Sequence, residues 1–110
     1  MNEVVLKIAS DDGGADVLAA RLAALAHPAR LSILRYLANN DACCCRQVVD
    51  QMDLAQSTVS QHLQVLVAAG LVKFRPDRQR SRYSVDRPAL ADLSQALGRF
   101  VDTIPSGCCR

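Results

Sequence analysis

Three consecutive cysteines, Cys43, Cys44 and Cys45, and a second run, Cys108 and Cys109, account for all five cysteines of this 110-residue chain. Thiolates are soft donors that favour soft ions. The triple therefore reads as a candidate ligand set for a thiophilic metal or metalloid, or as a redox-sensing group. Within a helix, neighbouring side chains point about 100° apart, which keeps three consecutive thiols from converging on one centre. A loop or an unwound helix start would relax that limit. Otherwise two of Cys43, Cys44 and Cys45 would be completed by Cys108 or Cys109, from the same or a second subunit. The bland alternatives are that free cysteine packs as a small hydrophobe and that the terminal pair belongs to an unstructured tail. Just downstream stands a different chemistry. Gln56, Ser57, Thr58, Ser60, Gln61, His62 and Gln64 can donate and accept hydrogen bonds at base edges and phosphates, and Arg75, Arg78, Arg80 and Arg82 suit phosphate contact or a narrow minor groove.

The elements that must carry these residues follow from periodicity. From Asp16, Val17, Leu18, Leu22 and Leu25 recur at helical spacing. A second helix opens at Pro28, which suits a first turn, and runs through Leu31, Ile33, Leu34 and Leu37 to the polar stop Asn39-Asn40-Asp41. A third begins near Cys45 or Arg46 with Val48, Val49 and Met52 inward, and Asp53-Leu54-Ala55 makes a turn. The fourth runs from about Gln56 to Ala69, with Val59, Leu63, Leu66 and Val67 on one face, and Gly70 closes it. Its cap position is Ala55, which has no side-chain acceptor, so that start must lean on Ser57 or on packing. Two alternating runs, Leu71–Arg75 and Arg82–Val85, flank Pro76–Ser81 as a hairpin with a basic tip. A fifth helix from Pro88 carries Leu90, Leu93, Leu97, Phe100, Val101 and Ile104. The fold class expected is mainly α with a small β-hairpin, a winged helix-turn-helix. Residues 1–15 form an N-terminal arm, 16–104 the domain, and 105–110 a cysteine-bearing tail.

Composition narrows the function. Half the residues are apolar, enough for one core. The formal net charge of +2 excludes a globally basic coat; the positive charge is instead local to Lys73–Arg87. No secretory leader pattern opens the chain, and no apolar run approaches the roughly 20 residues of a membrane span. A cytoplasmic location with reduced thiols is expected, which favours ligation or redox sensing over a disulfide scaffold. Neither histidine has a neighbouring nucleophile and carboxylate, so no enzyme is expected.

The segments LAALAHPARLSILRYL and AQSTVSQHLQVLVAAGLVKFRPDRQRSRYSV resemble the ArsR/SmtB family of metal-responsive transcriptional repressors. The resemblance covers about residues 16–103. It implies a winged-helix homodimer joined through the first and last helices, with the fourth helix of each subunit in successive major grooves of a palindromic operator. It also implies repression without inducer and release of DNA on inducer binding. Arsenite- and antimonite-sensing members carry cysteine-x-cysteine-x-x-cysteine at the start of the third helix. Cys44 matches the first cysteine, whereas Arg46 and Val49 occupy the places of the other two, and Cys43 and Cys45 flank the match. Divalent-ion sites of the family use carboxylates and histidines of the last helix; here Asp92 and Asp102 stand without a histidine, so that site is expected to be absent. His27 reads as a cap or packing residue.

The expected function is a DNA-binding repressor released by arsenite or antimonite. Two alternatives use the same fold: a sensor in which oxidant or sulfur species joins two thiols, preferably one of Cys43–Cys45 with Cys108 or Cys109, and a partner-binding winged helix.

Overall fold

A computed structural model describes residues 13–78 and 80–105. Residues 1–12, most of the expected arm 1–15, and the tail thiols Cys108 and Cys109 lie outside the described residues. Five helices and three short strands follow in the order α1 (Gly13–Leu25), α2 (Pro28–Ala38), β1 (Cys43–Cys44), α3 (Cys45–Gln51), α4 (Gln56–Ala68), β2 (Val72–Asp77), β3 (Arg80–Val85) and α5 (Arg87–Asp102). This is the winged helix-turn-helix expected, with one strand more.

Local chemistry sets the boundaries. Pro28 occupies the first turn of α2, and the His27 imidazole caps it, Nδ1 accepting from the Ala29 N–H at 3.2 Å. At the other end the side-chain amides of Asn39 and Asn40 donate to the carbonyls of Arg35 and Tyr36, satisfying acceptors that the ending helix leaves free. α4 stops in the same spirit. Gly70 adopts φ +81°, its N–H donates to Val67 O, and the Leu71 N–H donates to Leu66 O at 3.0 Å, which is the Schellman arrangement.

Val48, Val59, Leu63, Leu66 and Leu71 are fully buried together with Ile33 and Leu37 of α2. Ala24 of α1, Tyr83 and Val85 of β3, and Ala89 and Leu93 of α5 close over them. Leu31, expected with the inward residues of α2, is instead 49% exposed. It precedes Ile33 by two positions, about 200° round the helix, so it cannot share the face of Ile33 and Leu37. Arg21 ties the layers together by donating to the carbonyls of Ala69 and Ala89.

Two features depart from the sequence reading of the wing. The strands extend further into the hairpin: Pro76 pairs with Ser81 and Asp77 with Arg80, and just past Asp77 the residue Arg78 adopts φ +48°, the positive φ that short hairpin turns demand. Proline is tolerated because β2 lies at the sheet edge in the order β1-β3-β2. The second departure is β1 itself. Cys43 and Cys44 pair antiparallel with Tyr83 and Arg82, so the cysteine run opens as a strand of the wing sheet.

α1 begins at Gly13, before Asp16. α1 and α5 leave Val17, Leu22, Leu97, Phe100 and Val101 exposed, Phe100 by 54%, and Ile104 just beyond α5 is exposed too. Among the described residues, no single helix is long and apolar enough to cross a membrane.

Candidate nucleic-acid interface and thiol segment

α4 presents one polar side because its apolar residues recur at Val59, Leu63 and Leu66 and take the other. Gln56, Ser57, Gln61 and Gln64 are exposed, while Thr58 and Ser60 are half-buried. Ala55 gives the helix start no side-chain cap, as its type requires. Grouped with the polar face on the sequence, His62 departs from it. Its ring is buried and packs against His27 with centroids 4.5 Å apart, while Nδ1 accepts from Arg30 Nε at 3.1 Å. A position next to Leu63 turns it toward α2, so it braces the helix from behind. Burial, then the neighbouring His27 and Arg30, hold its pKa below the ordinary imidazole value. Arg30, whose Nη1 also donates to Ala24 O, is the brace that the sequence reading missed; the only signal was its place in the proline-x-arginine pattern.

On the wing, Arg75, Arg78 and Arg80 are exposed. Arg82 is more constrained. Its Nε pairs with Asp77 Oδ2 at 3.0 Å and its Nη1 donates to Ala42 O at 2.9 Å. The second bond fastens the wing to the loop that leads into the cysteines. Ala42 sits there at φ +55°, a region uncommon for residues with a Cβ. Arg87 grips the end of α2, donating to Ala38 O at 2.8 Å.

The three thiols diverge. Cys43 is buried in the core with its Sγ donating to Asn40 O at 3.0 Å. Burial pushes its pKa up, hydrogen bonding to Tyr36 offsetting only part of this. Cys44 heads α3 as its N-cap: its N–H donates to Gln47 Oε1 at 2.9 Å, and Arg80 Nη1 stands 3.9 Å from its sulfur. Burial opposes ionisation of Cys44, but the backbone N–H groups of Gln47 and Arg46, with the Arg80 guanidinium, outweigh it and bring the thiol below its ordinary value. Cys45, half-buried, is raised by burial and by Cys44. Among the described residues no three Cys, His, Asp or Glu side chains are placed to hold one metal ion. The thiols of Cys43, Cys44 and Cys45 are thus not gathered around one point in this arrangement. The strand-to-helix junction explains this, since neighbouring strand residues face opposite sides of the sheet.

A helix-turn-helix domain model matches residues 25–73. The arsenical resistance operon repressor of Staphylococcus xylosus is 30% identical over 87 residues, spanning 79% of this chain and 82% of that protein. The chain belongs to the ArsR/SmtB family. Other comparisons accord with that membership of the ArsR/SmtB proteins. The homodimeric winged helix-turn-helix DNA-binding domain of Mb0332 from Mycobacterium bovis superposes with a TM-score of 0.67 at 27% identity, covering 92% of this chain and 94% of that one. The probable mercury resistance operon repressor of Streptomyces lividans is 37% identical over 78 residues, 71% of this chain. This ArsR/SmtB chain spans 62% of that protein's length and 61% of a helix-turn-helix regulator of Methanocaldococcus jannaschii.

Proposed function

We propose that this ArsR/SmtB protein is a homodimeric transcriptional repressor that holds operator DNA with α4 and the wing, and lets go when a trivalent arsenic or antimony species is captured by its cysteines. The reading half rests on the exposed Gln56, Ser57, Gln61 and Gln64 of α4, with Thr58 and Ser60 beside them. Two copies of α4, one per subunit, read successive major grooves of a palindrome. Arg75, Arg78 and Arg80 meet the flanking backbone or minor groove.

The observation that carries the regulatory half is the pairing of Cys43 and Cys44 with Tyr83 and Arg82. A thiol segment that is a strand of the wing sheet cannot move without moving the wing. Trivalent arsenic bound there would supply bonds to sulfur in exchange for its oxygens. The described residues bring thiols to one segment without a three-donor centre, so the tail thiols Cys108 and Cys109 are the proposed completing donors. What the chain itself does is transmit: Arg82 links Ala42 to Asp77, and Arg80 links Cys44 to the hairpin. A coupling of about 1–3 kcal/mol between ligand and DNA changes affinity roughly 5- to 150-fold.

The test is fluorescence anisotropy of a labelled fragment from the protein's own promoter region, saturated with reduced protein and titrated with arsenite, with zinc and an oxidant in parallel. Release by arsenite alone is the expected result. Binding that survives arsenite and yields to oxidant favours a second reading, a thiol redox or sulfur-species sensor. That reading draws on one observation, the lowered pKa of Cys44 beside Arg80, since a thiolate is the reactive form.

A further inference from the structure

A cleft of about 670 Å³ opens on the outer side of the wing, between the loop at Asp41-Ala42, the strands β2 and β3, and the start of α5 at Arg87-Pro88. Tyr83 and Val85 turn into the core. Strand alternation therefore turns Arg82 and Ser84 the other way, and their partners Arg75 and Lys73 stand beside them on that face. Neither α4 nor the cysteine run contributes to the walls.

The charge of this cleft is unbalanced. Four cations, Lys73, Arg75, Arg82 and Arg87, face two carboxylates, Asp41 and Asp77. Asp77 is taken by Arg82 at 3.0 Å, and Asp41 stands 4.0 Å from Arg87 with both groups mostly in water, where such a pair holds little. Among the described residues neither carboxylate is paired with Lys73 or Arg75. Arg75 also lies directly across from Arg82, and like charges opposed in that way destabilise a sheet. Carbonyl oxygens meanwhile hold two of the four cations in place: Arg82 donates to Ala42 O and Arg87 to Ala38 O. Those acceptors orient the guanidinium groups without cancelling their charge.

We propose that this cleft binds a small phosphate-bearing anion, seated between Lys73 and Arg75 on the wing and Arg87 at the start of α5. Guanidinium forks match the oxygens of a phosphate, and an anion beside Arg75 and Arg82 removes their repulsion. Concave walls of one sign concentrate a compact anion, whereas a DNA backbone is met by protruding side chains such as Arg78 and Arg80. Register keeps Arg75 two pairs back from the last pair of the hairpin, Asp77 with Arg80. Binding itself is independent of the repressor reading. One consequence rests on it: Arg75 is shared with DNA there, so the anion competes with operator phosphate.

The experiment titrates the full, reduced, isotope-labelled chain with inorganic pyrophosphate, follows amide shifts residue by residue, and uses sodium chloride at matched ionic strength as the control. Expected are saturable shifts at Ala42, Lys73, Arg75, Ser84 and Arg87 that chloride does not produce. Apparent affinity should fall about tenfold or more in Lys73→Gln and in Arg75→Gln, since each removes a direct charged contact. It should stay within about twofold in Arg35→Gln, because a charge outside the cleft acts only through screening solvent. The shift map of the unsubstituted chain is independent of any variant's folding. Shifts that do not saturate, that chloride reproduces, or that spread over basic residues elsewhere overturn the site, as does an equal loss in Arg35→Gln. Operator anisotropy distinguishes a free anion from DNA as the source of the phosphate. A chain that ignores pyrophosphate while Lys73→Gln loses operator affinity assigns the cleft to the DNA backbone and overturns the free-anion site. Saturable shifts in a chain that binds no operator leave the site standing and overturn the repressor reading.

Discussion

Cys44 and His62 are the residues whose surroundings change their chemistry most usefully. The backbone N–H groups of Gln47 and Arg46 and the Arg80 guanidinium outweigh the burial of Cys44 and favour its thiolate, whereas burial raises Cys43 and Cys45. Alkylation with iodoacetamide followed by peptide mapping across a pH series should therefore label Cys44 first, at lower pH than its two neighbours. Equal rates for Cys44 and Cys45 would contradict this electrostatic account. His62 works in the other direction. Its folded pKa lies below the ordinary value, so between the two the unfolded chain binds the proton and the folded one does not. Stability thus rises with pH through that window and is lost as pH falls below the ordinary imidazole range. Urea midpoints at mildly acidic and neutral pH should differ for the native chain, and less so for His62→Gln; the same pH slope in both would remove His62 from the explanation. Neither shift was legible in the sequence. Each depends in part on groups far along the chain, Arg80 beside the nearer N–H groups of Gln47 and Arg46 for Cys44, and burial with His27 and Arg30 for His62, and spacing alone does not say which distant side chains meet.

The elements were largely readable because each carries its own signals. Pro28 at the start of α2, the asparagines at its end, the Val59-Leu63-Leu66 stripe of α4 and Gly70 beyond it all act within a turn or so of themselves. Gly70 can be tested directly. Its φ of +81° penalises any Cβ, and an added one would approach Arg21 Nη2 at 3.3 Å. Gly70→Ala should cost about 1–2 kcal/mol in denaturant unfolding, and a neutral result would mean that the loop relaxes to another conformation. β1 was not readable. A two-residue strand has no alternation to show, and Cys43-Cys44 becomes a strand only because β3 offers it a free edge. That pairing predicts that Arg82→Ala, which removes the bonds to Ala42 O and Asp77, loosens the β1 loop as well as the wing. Hydrogen exchange should accelerate at residues 42–44 in that variant; acceleration confined to the hairpin would argue against β1 and β3 acting as one unit.

At the scale of the whole molecule, the apolar residues left uncovered on α1 and α5 define the assembly proposed. Val17, Leu97, Phe100 and Val101, with Ile104 just past the end of α5, are large apolar side chains left exposed to water. Placing a charge in that stripe, as in Phe100→Glu, should shift sedimentation from dimer to monomer. Operator affinity should fall with it, because two half-sites then no longer share one protein. The fold itself should survive, since Phe100 lies outside the core. A variant that stays dimeric would move the interface elsewhere.

Helix periods, caps, breakers and the basic hairpin determined the architecture from the sequence by itself, because those signals act locally and survive any placement of distant parts. The polar face of α4 was legible for the same reason, save His62, which lies at the border between faces, is buried and accepts a hydrogen bond from Arg30. The tertiary structure alone decided how the cysteines divide. Counting placed three thiols together; the sheet edge of β3 and the start of α3 sent Cys43 into the core and left Cys44 and Cys45 lining an open cleft between α3, α4 and the hairpin. That division comes from a strand and a helix meeting at one residue, and each turns its side chains by a different angle.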